Sequence, residues 1–523
     1  MYPNMQRRSQ LWLFLLLPFW AASLPLTAQP HSDTEKYWIF LTDKDLAATP
    51  AISAQTRANR QHQGLPLFQW TDVPLQAAYV QALQHEGVQI VCRSRWLNAV
   101  SAYLTDAQQT ALRQLPFVKE VRPLRGQLQL AETEPTETTR WASPASQQMA
   151  SPFFETEKLT GKGVVVGVID AGFYRAHQSP TLRHLFEAGQ ILQFRDFVNP
   201  TKADFFGTSE TAQDAHGTSV LNMITGWDEE KHERYGFAPD AQFYLARTDH
   251  GNDEFRGEED YWMAAMEWMD SLGVRLINTS LGYALGFDNP QENYRPEEMD
   301  GQTSTIVKAA RIATEEKGIL LVVSAGNDGD NRHWRYISTP ADAPGVLAVG
   351  ATWQDVWKKM GYSGIGPAFL PYLKPDVACY SLTGTSFSAP VITGFVACLM
   401  QKAPHLTNAQ LMELVRRSAH LYPYGNNYVG YGVPQADRAL QWLAKTPPSA
   451  SAREVRVKGD HYHLKLRHAH ENEVLLFHKR DATQVVDQTT ARVRRHALDI
   501  ARPDGVARTT IDLQTEVIEL VWE

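Results

Sequence analysis

Five short apolar runs constrain this chain more than any other feature: GVVVGVID (Gly163–Asp170), QFYLART (Gln242–Thr248), VRLINTSLG (Val274–Gly282), GILLVVSAGN (Gly318–Asn327) and GVLAVGA (Gly345–Ala351). Each is far too short to cross a membrane, and each is nearly continuous rather than alternating, the pattern of a strand covered on both faces. Between them, YWMAAMEWMDSLG and TSTIVKAARIATEEKG carry apolar residues at helical spacing and stop at a glycine. Strands alternating with helices predict an α/β fold, a doubly wound, mainly parallel sheet over about residues 152–445. In such sheets the chemistry gathers beyond the carboxyl ends of the strands.

The flanks read differently. Arg7 and Arg8 precede an apolar run from Leu11 to about Ala22, followed by small and polar residues. That is the layout of a secretory signal, placed at residues 1–28, with a retained anchor as the alternative. Residues 30–135 run strand, helix, strand, strand, helix, strand, from KYWIFLTDK to FVKEVRPL, and predict a compact α+β unit. The polar segment between the first strand and the helix at Pro74–His85 carries no apolar pattern. Residues 136–151 are polar and aperiodic, which predicts an accessible linker and a cutting site. After Pro447-Pro448, residues 446–523 alternate as in REVRVKGDHYHLKLRH and predict a small β-rich domain. At 523 residues with a formal charge of −8, the chain has room for all these units and no basic excess that would mark nucleic-acid binding. Cys92, Cys379 and Cys398 are too few for a disulfide framework.

Four polar residues stand at strand ends and helix starts. Asp170 closes GVVVGVID, His216 begins HGTSVLNMITG, Asn327 closes GILLVVSAGN, and Ser386 lies in GTSFSAPVITGFVACLM just before a helical run whose first turn holds Pro390. Singly, each has an ordinary explanation: a cap or cation ligand, a helix-start histidine, a turn residue and a helix cap. Together they supply a nucleophile, a base, a carboxylate to fix the base and an amide to hold an oxyanion, the full set for acyl transfer.

The motifs VGVIDAGF, HGTSV, SAGND and GTSFSAP resemble those of the subtilisin-like serine proteases, and the resemblance covers about residues 155–440. It implies catalytic roles for Asp170, His216 and Ser386 and an oxyanion role for Asn327. It also implies that residues 30–135 are a propeptide, with a permanent accessory domain as the alternative. The chain departs from the family in carrying Ala171 where a hydroxyl-bearing residue usually follows the acid, and HGTSVLN in place of the commoner HGTHVAG.

An extended peptide adding as a strand beside Ser280, Leu281 and Gly282 would give main-chain recognition, with Ser324, Ala325 and Gly326 lining the adjoining pocket. The expected partners are protein or peptide substrates and the chain's own propeptide. The acyl-transfer chemistry needs no cofactor. Structural calcium finds no D-x-[DN]-x-[DN]-G loop, and the acidic NDGDN and HGNDEFRGEED segments read as solvated loops. His461, His463, His468 and His470 read as surface positions on a strand rather than a zinc site. Two functions follow: a secreted, self-processing serine endopeptidase, or a catalytically silent peptide-binding protein on the same scaffold.

Overall fold

The computed structural model describes residues 34–124 and 139–523, apart from residues 49, 51, 203, 208, 210, 250–257, 286–292, 447–451 and 467–472. The expected signal, the first part of the expected linker, His468 and His470 lie outside the described residues.

The N-terminal unit is a four-stranded antiparallel sheet of β1 (Glu35–Leu41), β2 (Ile90–Ser94), β3 (Ala99–Leu104) and β4 (Val118–Pro123), in the order β2-β3-β1-β4. Alternation along the strands gives it two buried faces. Ile39, Val100 and Leu104 point to helices Ala77–His85 and Asp106–Leu112, the second opened by a Thr105/Gln108 capping box. Trp38 and Trp96 point the other way, into the layer that covers the central sheet.

The polar segment after β1 contains a helix that the apolar pattern does not reveal, Ala54–Gln63, capped by Ser53 and by Gly64 in the left-handed conformation. Its buried residues are Thr56 and Arg60 rather than apolar ones. Arg60 forks onto Asp72 at 2.6 and 2.8 Å, and Lys317 of the central domain reaches the same carboxylate at 2.8 Å. A helix held by buried charge has no hydrophobic stripe to read.

The central sheet comprises β5 (Val165–Asp170), β6 (Ile191–Asp196), β7 (Gln242–Arg247), β8 (Leu276–Thr279), β9 (Leu320–Ser324), β10 (Leu347–Thr352) and β11 (Val377–Tyr380). Their order is β11-β10-β9-β8-β5-β7-β6, and every neighbouring pair is parallel. Helices His216–Thr225 and Ser388–Lys402 pack on one face. Helices Glu259–Leu272 and Thr305–Arg311 pack on the other. The five near-continuous runs are therefore the strands covered on both sides, as expected.

Residues 139–148, expected as linker, form the helix Thr139–Gln148. Ala145 and Met149 are buried in the main core. The Gln148 amide donates to Thr352 Oγ1 and the Trp353 carbonyl and accepts from the Tyr380 N–H at 2.7 Å. A glutamine stitching the ends of β10 and β11 does the work that an apolar stripe would signal.

The C-terminal residues form β12 (Ala452–Val457), β13 (His461–Lys465), β14 (Glu473–Lys479), β15 (Val485–Arg492), β16 (Ala497–Ala501), β17 (Arg508–Asp512) and β18 (Val517–Trp522). Five make a sheet in the order β12-β18-β17-β14-β15, and β13 pairs with β16. Leu464, Leu498, Ile511, Ile518 and Leu520 fill the space between the two sheets. Leu475, Phe477, Val485 and Val517 face outward from it, against Ile365, Leu421, Tyr428 and Val429 of the central domain. The same seam buries His420, whose Nε2 lies 3.0 Å from Asp512 Oδ2.

All three cysteines are free, and burial pushes the Cys398 thiol up to about 12, which makes it inert. Among the described residues no helix is long and apolar enough to cross a membrane. Among them, too, no group of three or more His, Cys, Asp and Glu side chains is placed to hold a metal ion.

Candidate active site

Asp170 is the last residue of β5 and is fully buried. Its Oδ1 accepts the Ala171 N–H at 2.9 Å and lies 2.6 Å from His216 Nδ1. A carboxylate there fixes the proton on Nδ1 and leaves Nε2 as the basic nitrogen. Asp170 Oδ2 and His216 Nε2 are both buried with no hydrogen-bond partner among the described residues.

His216 begins helix His216–Thr225, and its approach to β5 depends on Gly217. A Cβ on Gly217 would stand 2.4 Å from the Gly172 carbonyl and 2.9 Å from Asp170 Cβ. Thr218 Oγ1 donates to the Tyr174 carbonyl at 2.8 Å, so the first hydroxyl of the HGTS motif also ties the helix to the segment after Asp170. Phe387 closes one side of the imidazole at a ring-centroid distance of 5.2 Å.

Ser386 lies in the 3-10 turn Thr385–Phe387, directly before helix Ser388–Lys402, and is buried. Two reciprocal bonds tie this turn to the end of β8. Ser386 Oγ donates to the Ser280 carbonyl at 3.1 Å, and Ser280 Oγ donates to the Ser386 carbonyl at 2.8 Å. Asn327 follows β9, and its Oδ1 accepts from the Thr385 N–H at 2.8 Å and from Thr385 Oγ1 at 3.0 Å. Because an N–H can only donate, the oxygen of the amide is assigned to that side and its NH₂ to the other. Asn327 and Ser386 are thus oriented through one residue, Thr385.

Ser280, Leu281 and Gly282 continue β8, and Ser324, Ala325 and Gly326 end β9 and lead to Asn327. Between the two segments runs Ser338–Thr339. Tyr283 and Thr339 exchange backbone bonds at 2.9 and 3.1 Å, and the Ser338 N–H donates to the Ala325 carbonyl at 3.0 Å. A Cβ on Gly282 or Gly326 would stand 2.2 or 2.8 Å from Ser338 Oγ, and Gly326 has φ +99°. Sequence reading missed Ser338, which lies against both segments, although the two facing glycines are the trace it leaves. It also missed Thr385 and Phe387, the immediate neighbours of the serine.

A model of the subtilase family, Peptidase S8, matches residues 161–432. A model of the Peptidase S8 propeptide domain of Bacteroidota matches residues 36–140. The chain is 24% identical over 450 residues to subtilisin NAT of Bacillus subtilis subsp. natto, covering 83% of this chain and 100% of that protein. Its fold is similar to that of the epidermin leader peptide processing serine protease of Staphylococcus aureus, with a TM-score of 0.55 and 16% identity over 80% of this chain and 100% of the other. It is also similar to that of fervidolysin from Fervidobacterium pennivorans, a keratinolytic enzyme related to subtilisin, with a TM-score of 0.52 and 18% identity over 91% of this chain and 70% of the other. The chain belongs to the subtilase family. It is a serine endopeptidase that carries its propeptide domain at the N-terminal side.

Proposed function

We propose that this protein is a secreted endopeptidase that cuts peptide bonds with Ser386, His216 and Asp170 and is made as a zymogen that processes itself. The observation that carries the reading is the 2.6 Å contact between His216 Nδ1 and Asp170 Oδ1 at the carboxyl end of the sheet, which leaves Nε2 free to act as base. Ser386 Oγ attacks the scissile carbonyl while His216 Nε2 takes its proton. The oxyanion is met by the Ser386 N–H and by the Asn327 NH₂, on the side of that amide away from Thr385. The imidazolium, steadied by Asp170, then protonates the leaving amine, and water repeats the sequence on the acyl-enzyme. Every group in this sequence belongs to the chain, so no cofactor enters.

Substrate would run beside Ser280–Gly282, its side chain entering between that segment and Ser324–Gly326. Residues 1–28 would direct export, and the cut that frees the catalytic domain would fall before helix Thr139–Gln148. The silent-scaffold alternative draws on one feature, the Ser386 hydroxyl pointing to the Ser280 carbonyl rather than to His216.

Mass spectrometry of the wild-type chain beside Ser386→Ala, incubated at neutral pH with an unfolded protein, separates the two readings. Cutting upstream of residue 139 and loss of the substrate in the wild type alone are expected. Two intact chains and an intact substrate would leave the silent scaffold.

A further inference from the structure

Arg247 ends β7, directly across from Asp170 in the register of the parallel pair, and is almost completely buried. Its guanidinium reaches three different loops. Nε donates to the Ala171 carbonyl at 3.0 Å, on the segment that follows Asp170. Nη1 donates to Asp196 Oδ2 at 3.0 Å, at the end of β6. Nη2 donates to Asp214 Oδ1 at 3.2 Å, two residues before His216.

Each of these contacts is fixed from behind. Asp196 Oδ1 accepts the N–H groups of Val198 and Asn199 at 2.9 and 2.8 Å. Asp214 Oδ2 accepts the Thr211 N–H at 3.0 Å, closing the turn Ala212–Ala215 that delivers His216. The Asp214 carbonyl accepts the Tyr174 N–H at 2.8 Å, so that turn is also bonded to the loop after Asp170. The Thr248 N–H, next to Arg247, donates to the Asp170 carbonyl at 3.1 Å.

We infer that Arg247 is a positioning residue for catalysis, a single buried cation that sets the distance between Asp170 and His216 by holding the loop after one and the turn before the other. The inference rests on the proposed roles of those two residues. Guanidinium suits the task because its planar fork serves three acceptors in fixed directions, which an ammonium does not. Its charge matters as well. Among the described residues, the charged groups at this corner are Asp170 from β5, Asp196 from β6, Arg247 with Asp249 two residues beyond it in the chain, and Asp214 from the turn. Without the cation, buried carboxylates would stand near the imidazole with less to balance them, and its protonated, catalytically dead form would persist to higher pH.

The test measures kcat/KM against pH on a chromogenic peptide, per titrated active site, for the full chain after it has processed itself. Arg247→Met is expected to lose about 10²-fold in kcat with KM within about threefold, and its acid limb moves to higher pH. Arg247→Lys, which keeps charge but not the fork, is expected to lose about 10-fold with the limb in place. Asp214→Asn, which removes a negative charge from the same corner, is expected to move the limb to lower pH. An Arg247→Met enzyme with unaltered kcat and limb and only a lowered melting temperature would reduce Arg247 to a structural residue. If that variant fails to accumulate, full kcat in Arg247→Lys together with an unmoved limb in Asp214→Asn overturns the proposal equally. A wild type unable to cut the peptide would overturn the catalytic roles themselves, and the proposal with them; an active wild type with indifferent variants overturns the proposal alone.

Discussion

Ser386 and Ser280 hold one another: the hydroxyl of each donates to the carbonyl of the other, at 3.1 and 2.8 Å. The turn of the proposed nucleophile is thereby fastened to the segment along which substrate is proposed to run. A peptide N–H arriving at the Ser280 carbonyl would compete with the Ser386 hydroxyl for it, turning that hydroxyl toward His216.

Ser280→Ala removes one bond of this pair and leaves the Ser280 carbonyl in place. A neutral hydrogen bond contributes about 1 kcal/mol, so steady-state kinetics should give a kcat about fivefold lower with KM unchanged within twofold. An equal rise in KM instead would mean that the hydroxyl serves substrate binding.

Asn327 has two faces, one accepting from Thr385 and one proposed to donate to the oxyanion. Asn327→Asp keeps the acceptor and loses the donor. Peptide hydrolysis should fall about 10²–10³-fold in kcat with KM nearly constant, while the melting temperature stays close to that of the wild type.

The N-terminal unit is fastened by buried charge. Lys36 Nζ lies 2.8 Å from Asp260 Oδ1, with both side chains inaccessible, and Ser101 Oγ donates to Asp260 Oδ2 at 2.5 Å. Lys36→Met leaves Asp260 buried without its cation, at a cost of about 3–5 kcal/mol. After the proposed processing, the cut N-terminal unit should separate from the catalytic domain on size exclusion at concentrations where the wild-type pair co-elutes. Replacing Lys36 and Asp260 together with Met and Leu should restore much of the association.

Asp342 sits in the loop just past Thr339, where burial lifts its carboxyl from an ordinary value of 3.8 to about 7. The folded chain keeps a proton there that the unfolded chain has already released above about pH 4. The stability this contributes is complete below the unfolded value and is lost as pH rises through about 7, by at most roughly 4 kcal/mol. Asp342→Asn can still accept the Gly301 N–H that Asp342 Oδ2 accepts at 2.9 Å. Melting temperatures taken from pH 5 to 8 in a Ser386→Ala background should show the variant gaining steadily on its parent. Parallel curves would mean that the carboxyl is already ionised at pH 5.

The parts legible in the sequence are those where burial is apolar or where a motif is local. GVVVGVID and GILLVVSAGN read as strands because both faces of the sheet are covered, and they carry Asp170 and Asn327 at their ends. Helix Ala54–Gln63 escaped because it is held by the buried charge of Arg60, and Thr139–Gln148 because Gln148 and the burial of Ala145 both depend on partners far along the chain. Ser338 and Arg247 escaped for the same reason, since each acts through the carboxyl ends of neighbouring strands. Ala171 was readable as the loss of a hydroxyl, and Asp170 Oδ2 is indeed left with no partner among the described residues.

The C-terminal sheet bears on when the enzyme can exist. Val517–Trp522 pairs in parallel with Ala452–Val457, and Val517 belongs to the apolar seam against Leu421 and Val429. A ribosome releases Ser386 some 130 residues before that strand. During this interval the underside of the central domain is wet and His420 waits for Asp512. The nascent chain thus carries Ser386 well before the seam that finishes its scaffold can close.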